Sequence, residues 1–328
     1  MIQRFTSPEV PSSLLLYDTL LPRMNLPYDE KQKREQLFKG FIGEMLLKKK
    51  LPSGNSEKVI SLFNLLLEAK GAEFQIDSLL ICSDTIYLLE VKNYTGDYYV
   101  HHDKIFSMRT KEEIYDPFLQ LERSTYFFKS LLSSLKISID VQPYVVFIND
   151  QFTLYQAPTH FSMILPTQVK RFFQKLYANA TPVSSQHSEI ANLICNQNKS
   201  QSDNERLPLY DYNNLKKGLF CPECMIELIR KNHLYVICPN CQTELTVEEI
   251  VLRSIAEFHL LFPGEEITPS TIEKWCGKFV SSQGISKILR KHFDHSNRGK
   301  NSNYSFPKNN SHLHVLKRGK YDEVLQGL

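Results

Sequence analysis

The chain has 328 residues, of which 42% are hydrophobic, and a formal net charge of +3. That is enough apolar material for a real core, which excludes a disordered chain, and the length suits two domains or one domain with appendages. The charge is too small to name a partner, although local clusters still carry information.

The longest apolar runs, such as "SLLIC" and "PYVVFI", fall far short of the roughly 20 residues needed to cross a bilayer, so no membrane association is expected. Near the N-terminus Glu9, Pro11 and Asp18 break up the short apolar patch, which therefore fails as a signal peptide. The expectation is a soluble, cytoplasmic protein, with a homo-oligomer left open. Seven cysteines in such a chain argue for thiols or metal ligands over disulfides.

Between residues 28 and 50, Leu37, Phe38, Phe41, Ile42, Met45 and Leu46 recur at helical spacing and predict an amphipathic helix. A Pro/Gly/Asn/Ser loop follows, then the apolar segment "VISLFNLLLEAKG", which stops at Gly71. Residues 75–96, "QIDSLLICSDTIYLLEVKNYTG", read as two strands turning near Ser83 and Asp84. A single third strand is expected around "YYVHHDKIFSM", and a helix after the Asp116–Pro117 boundary. "PYVVFIND" and "HFSMIL" read as strands and "PTQVKRFFQKLY" as a helix, an alternation that predicts an α/β domain over residues 1–180.

Residues 181–207 are rich in Ser, Gln, Asn and charge and read as a linker. Over residues 208–247, Cys221, Cys224, Cys238 and Cys241 form two C-P-x-C knuckles around a strand-like segment. Four thiolates so spaced can close a tetrahedral Zn²⁺ site, and the segment resembles a zinc ribbon. A thiol redox role is the competitor, but that chemistry needs one pair following a strand. Cys82, Cys195 and Cys276 lack a partner motif and read as packing residues.

Residues 248–328 give three helical segments, compatible with a helix-turn-helix of plain or winged form. Ser270 with Glu273 reads as a capping box for the second helix, with Thr268 as the alternative cap. From residue 286 to 320 the charge is one-sided, with Lys287, Arg290, Lys291, Arg298 and Lys300 foremost and Asp294 alone against them. Such a stripe fits a recognition helix and wing laid on phosphates; a solvated tail is the alternative.

The paired strands carry Asp77, Glu90 and Lys92. Residues i and i+2 share a strand face, so Glu90 and Lys92 point the same way, and a turn near residue 83 can bring Asp77 beside them. Two carboxylates and an ammonium suit a hard divalent cation and a phosphodiester; ordinary charges at strand ends are the plainer reading.

"KGFIGE", "FQIDSLLI", "IYLLEVKNYTG" and "DPFLQ" occur here in the order and approximate spacing of the nuclease-related domain, a branch of the PD-(D/E)xK nucleases, and the region of roughly residues 37–135 resembles that family. The resemblance implies a restriction-endonuclease-like mixed sheet flanked by helices. It implies Glu44, Asp77 and Glu90 around Mg²⁺ or Mn²⁺, Lys92 beside the attacking water, and Gln120 near the pocket. One departure is that no strand is evident before Asp77. The expected function is a metal-dependent nuclease with nucleic acid, DNA in the first place, as its partner; the alternative is a non-catalytic nucleic-acid-binding protein that keeps the nuclease fold as a scaffold.

Overall fold

A computed structural model describes residues 8–52, 57–199, 202, 206–298, 301–307, 316 and 321, with the backbone alone at 296–298 and 301–302. In chain order the elements are α1 (Ser12–Leu20), α2 (Tyr28–Lys50), β1 (Ile60–Ala69), β2 (Ala72–Cys82), β3 (Thr85–Lys92), β4 (Gly96–His101), β5 (Lys104–Ser107), α3 (Pro117–Ser134), β6 (Asp140–Phe147), β7 (Phe152–Tyr155), β8 (Met163–Ile164), α4 (Pro166–Asn179) and α5 (Ser185–Cys195). They continue with β9 (Ile229–Arg230), β10 (Tyr235–Ile237), β11 (Glu244–Thr246), α6 (Val247–Leu261), α7 (Pro269–Trp275), α8 (Ser282–His292), β12 (Asp294–Arg298) and β13 (Asn301–Ser305).

The chain divides into two compact units, Met1–Glu9 with Phe38–Arg206, and Val10–Leu37 with Leu207–Leu328. In the first, a mixed sheet runs β1-β2-β3-β6-β8, with β1, β2 and β3 antiparallel and β3, β6 and β8 parallel. One face packs on α3 and α5 through residues such as Phe128, Leu131 and Ile194; the other carries Leu47 of α2 and Val169 and Phe173 of α4. The expected mixed sheet flanked by helices is present. A second sheet, β5-β4-β7, follows from the end of β3.

The strand missing from the sequence reading is β1. It turns into β2 through Lys70 and Gly71, both at positive φ (52° and 72°), as a two-residue hairpin demands. Its alternation is hidden because both faces are covered, and because the pattern changes phase. Leu62 and Leu65 face the same core although three residues apart, and so do Ile76 and Leu79 on β2. The switch falls at Asn64, held at φ 52° opposite Asp77. Asparagine tolerates the left-handed region better than other side chains.

Three further differences have local causes. The expected third strand is two, β4 and β5, because His102 and Asp103 adopt positive φ (48° and 60°) and fold the chain back. Within the expected linker, residues 185–195 form α5, whose Ala191 and Ile194 are fully buried; an apolar stripe three residues apart outweighs the polar composition around it. The helix after the Asp116–Pro117 boundary is α3, and Asp116 caps it, accepting from the Phe118 and Leu119 N–H groups with Pro117 in the first turn.

In the second unit α1 contributes Leu16, Tyr17 and Leu20 to the core formed by α6, α7, α8 and β10, so this N-terminal helix is not part of the α/β unit in which the sequence placed it. Its apolar residues cover most of its circumference, which requires burial on several sides. Just after it Arg23 is fully buried: it pairs with Glu257 at 2.7 Å, donates to the Lys216 carbonyl at 3.1 Å and lies 4.0 Å from the Trp275 ring centroid.

At α7 the cap is Thr268, which accepts from the Thr271 N–H, rather than Ser270. Pro269 has no N–H to satisfy and takes the first helical position, which sets the cap one residue before it. Glu273, the supposed box partner of Ser270, accepts instead from the Ser282 N–H at the start of α8. Among the described residues no helix is long and apolar enough to cross a membrane.

Candidate functional site

Strand register brings the acidic and basic side chains of the first unit together. β2 and β3 pair from Cys82↔Thr85 to Ser78↔Leu89, which leaves Asp77 and Glu90 next in line. Asp77 Oδ2 accepts from the Val91 N–H at 2.8 Å, so its carboxylate lies across the end of β3. Lys92 Nζ donates to Glu90 Oε1 at 2.8 Å and to Gln120 Oε1 at 3.0 Å, and Gln120 is delivered by the first turn of α3.

Glu44 arrives from α2, and Gly43 is what lets it do so. A Cβ at residue 43 would sit 2.9 Å from Asn93 Cβ and 3.5 Å from Val91 Cγ1, so α2 approaches the end of β3 closer than any side chain there permits. Gly43→Ala is therefore expected to destabilise the protein by about 1–3 kcal/mol through overpacking, although alanine is the better helix former. Gly40→Ala, in the same helix with open space around it, is expected to stabilise by about 0.5–1 kcal/mol. Thermal melts of the two variants, read as opposite shifts, check the close approach.

Burial dominates the electrostatics. Glu44 is 7% exposed and Glu90 2%, and desolvation is the largest force on each. Glu44 is pushed well above the ordinary carboxylate range by burial and by the charges of Asp77 and Glu90, with a hydrogen bond from Asn64 opposing. Glu90 is pushed up to about 8 by burial and Asp77, with Lys92 opposing. Asp77 is raised by burial, against the Val91 N–H and Lys92. Burial works against the charge of Lys92, but Glu90, Tyr94 and Asp77 outweigh it and hold the ammonium above its usual range.

Three crowded carboxyls of this kind are short of positive charge. Glu44 Oε2 is buried with no hydrogen-bond partner, an arrangement a cation would relieve. A hard divalent ion bound through carboxylate oxygens fits that donor set.

Residues 39–148 match the family model of the nuclease-related domain. The match covers about a third of the chain and contains Glu44, Asp77, Glu90, Lys92 and Gln120. No curated protein and no solved structure matches the chain. Around this strand end two groups were not legible in sequence. Asn64 supplies the left-handed kink beside Glu44, and its only signal is an asparagine in an apolar run. Asn149 donates to Asn93 Oδ1 at 2.9 Å and Thr95 Oγ1 at 3.1 Å, fixing the chain as it leaves Lys92.

Outside the matched residues, the structure gathers the four knuckle cysteines. All seven cysteines are free thiols, and the Sγ atoms of Cys221, Cys224, Cys238 and Cys241 lie within 4.8 Å of one another. Cys221 and Cys241 are 3.7 Å apart, close to the roughly 3.8 Å edge of a tetrahedron with metal–sulfur bonds of about 2.3 Å.

The knuckles repeat one geometry. Met225 and Gln242 follow their second cysteines at φ 58° and 62° and donate to the Cys221 and Cys238 carbonyls at 2.9 and 3.1 Å. Strands β9, β10 and β11 form a three-stranded sheet beside them. The cluster can hold a metal ion such as zinc.

The C-terminal basic stripe is only partly described. Lys287 and Arg290 are exposed on α8, whose buried side is Ile285, Ile288 and Leu289. Lys291 donates to Glu248 at 2.7 Å, and the His292 ring meets the same carboxylate at 2.7 Å, so part of the stripe is balanced by an acid 43 residues away that local sequence could not reveal. Arg298 ends β12, with only its backbone described, and Lys300 lies outside the described residues. The paired strands β12 and β13 follow directly after α8.

Proposed function

We propose that the protein is a metal-dependent nuclease that hydrolyses phosphodiester bonds, with DNA as the favoured substrate. The observation that carries this reading is convergence: residues from α2, β2, β3 and α3 meet at one strand end, where Glu44 Oε2 is buried without a partner.

Glu44, Asp77 and Glu90 would hold Mg²⁺ or Mn²⁺, whose chemistry is to polarise a phosphoryl oxygen and lower the pKa of bound water. The chain's own groups do the remainder. Gln120 and Glu90 clamp Lys92 from two sides and fix the position of its ammonium. Kept charged, Lys92 is suited to donate hydrogen bonds to the attacking water and to the phosphate as its charge grows. The Val91 N–H holds Asp77 Oδ2 and so sets the orientation of that carboxylate.

Cleavage of single- and double-stranded DNA and RNA, with Mg²⁺, with Mn²⁺ and without added metal, tests the reading. Metal-dependent breakage supports it. A protein that cuts none of these substrates with either metal is a nucleic-acid-binding scaffold instead.

We also assign Zn²⁺ to the four cysteines, as a structural ion. The helices α6, α7 and α8 with the β12–β13 hairpin we read as a winged helix-turn-helix that holds duplex, with α8 on the phosphates. The double variant Lys287→Ala, Arg290→Ala is expected to weaken duplex binding and to lower the slope of log affinity against log salt by about 2, at roughly 0.9 per lost phosphate contact. An unchanged slope in a salt titration would leave the helix as an ordinary solvated face.

A further inference from the structure

The sheet β5-β4-β7 has an inner face that belongs to the core, through Val100, Ile105 and Phe152, and an outer face that does not. On that outer face three aromatic side chains stand in one row across the strands. Tyr99 of β4 is the direct register partner of Phe106 on β5 and of Tyr155 on β7. Directly opposed residues share a face, so all three rings stand on the outer side, on strands about 4.8 Å apart. Tyr99 and Phe106 stack with centroids 5.5 Å apart and planes 21° apart. Tyr155 is 49% exposed.

A row of aromatic rings on a water-facing sheet is costly unless something covers it. The flanking charges bear on what that is. Lys111 Nζ lies 5.9 Å from the Tyr99 ring centroid and His101 borders the row; Asp97 and Glu113, the latter bridged to Phe106 and paired with Lys104 at 2.9 Å, are the acids on the same face. Flat rings with a cation at their edge suit ligands that offer π-faces and negative charge together, which is the chemistry of an unpaired nucleic acid strand. A duplex does not offer it, because its base faces are covered by one another.

The connection to the site is short and fixed. β4 begins three residues after Asn93, so Tyr99 stands at most about 23 Å along extended chain from Lys92. The Asn149 side chain and the bond from the Gly96 N–H to the Gln151 carbonyl (3.0 Å) hold the chain between them.

We propose that Tyr99, Phe106 and Tyr155 form a stacking platform for unpaired nucleic acid, which seats a single strand or a frayed end beside the carboxylate site. The proposal deepens the nuclease reading and rests on it for its purpose, but its test does not require cleavage.

The full chain, with no divalent metal added, is titrated against fluorescent oligothymidine, oligouridine and a duplex of equal length. Tyr99→Ala and Tyr155→Ala are each expected to weaken binding of both single strands about tenfold, the scale of one lost base stack. Tyr155→Phe is expected to keep that affinity, and all the variants to bind duplex as the wild type does. Tyr155 is exposed enough that its alanine variant should melt with the wild type, so a loss of binding there is not a loss of fold.

Unchanged single-strand affinity in both alanine variants overturns the proposal. So does an equal loss on duplex, or a finding by sedimentation that Tyr155→Ala breaks a dimer while binding is unaffected. A wild type that binds unpaired strands through these rings and cuts nothing upholds the platform and removes the nuclease reading instead.

Discussion

Lys92→Ala is expected to lower metal-dependent cleavage by about 10² or more, the scale on which a positioned donor or proton-transfer group acts. The fold should survive the change. Lys92 supports Glu90, and removing the partner of a buried charge is ordinarily destabilising. Glu90, however, is already raised to about 8 by burial and Asp77, so with Lys92 gone it can take up a proton instead of standing as a naked buried charge.

Asp77→Ala and Glu90→Ala should lose cleavage to a similar extent by weakening the metal site. Each combined with Lys92→Ala should cost far less than the product of the single effects, because the groups act as one unit. Single-turnover cleavage, with circular dichroism as the fold control, reads the outcome. Full metal-dependent cleavage by the single variants would remove these residues from the chemistry.

Loss of zinc is expected to unfold the cysteine region. Purified protein should carry about one zinc per chain by elemental analysis. The three strands beside the cluster are two or three residues long, and of their residues only Val236 of β10 is buried in the core, so a bound metal would be a main source of their order. Cys238, fully buried, is the ligand whose replacement by serine should do the most damage, with protection of β10 amides from hydrogen exchange lost. Cys195→Ser, far from the knuckles in sequence and on α5, should leave zinc content and exchange unchanged. A metal-free protein whose knuckle cysteines form a reversible disulfide would return the redox reading to the front.

Sequence alone determined the parts of this protein whose signal is local. The turn at Ser83 and Asp84, the helix start after Asp116 and Pro117, the helical spacing from residue 28 to 50 and the two C-P-x-C knuckles each rest on neighbouring residues, so their chemistry shows in the order of the letters. The i, i+2 relation of Glu90 and Lys92 follows from strand pleat in the same way.

Tertiary structure decided what depends on distant partners. β1 was hidden because strands covered on both faces lose their alternation, and because Asn64 shifts the phase of what remains. The role of Gly43 appears only when Asn93 is found 2.9 Å from the place its Cβ would take. Placing α1 with the C-terminal helices needed the partners of Arg23, and the charge of Lys291 was balanced by Glu248 across 43 positions. The row of Tyr99, Phe106 and Tyr155 was likewise illegible, since it exists only through strand register, which short segments do not encode by themselves.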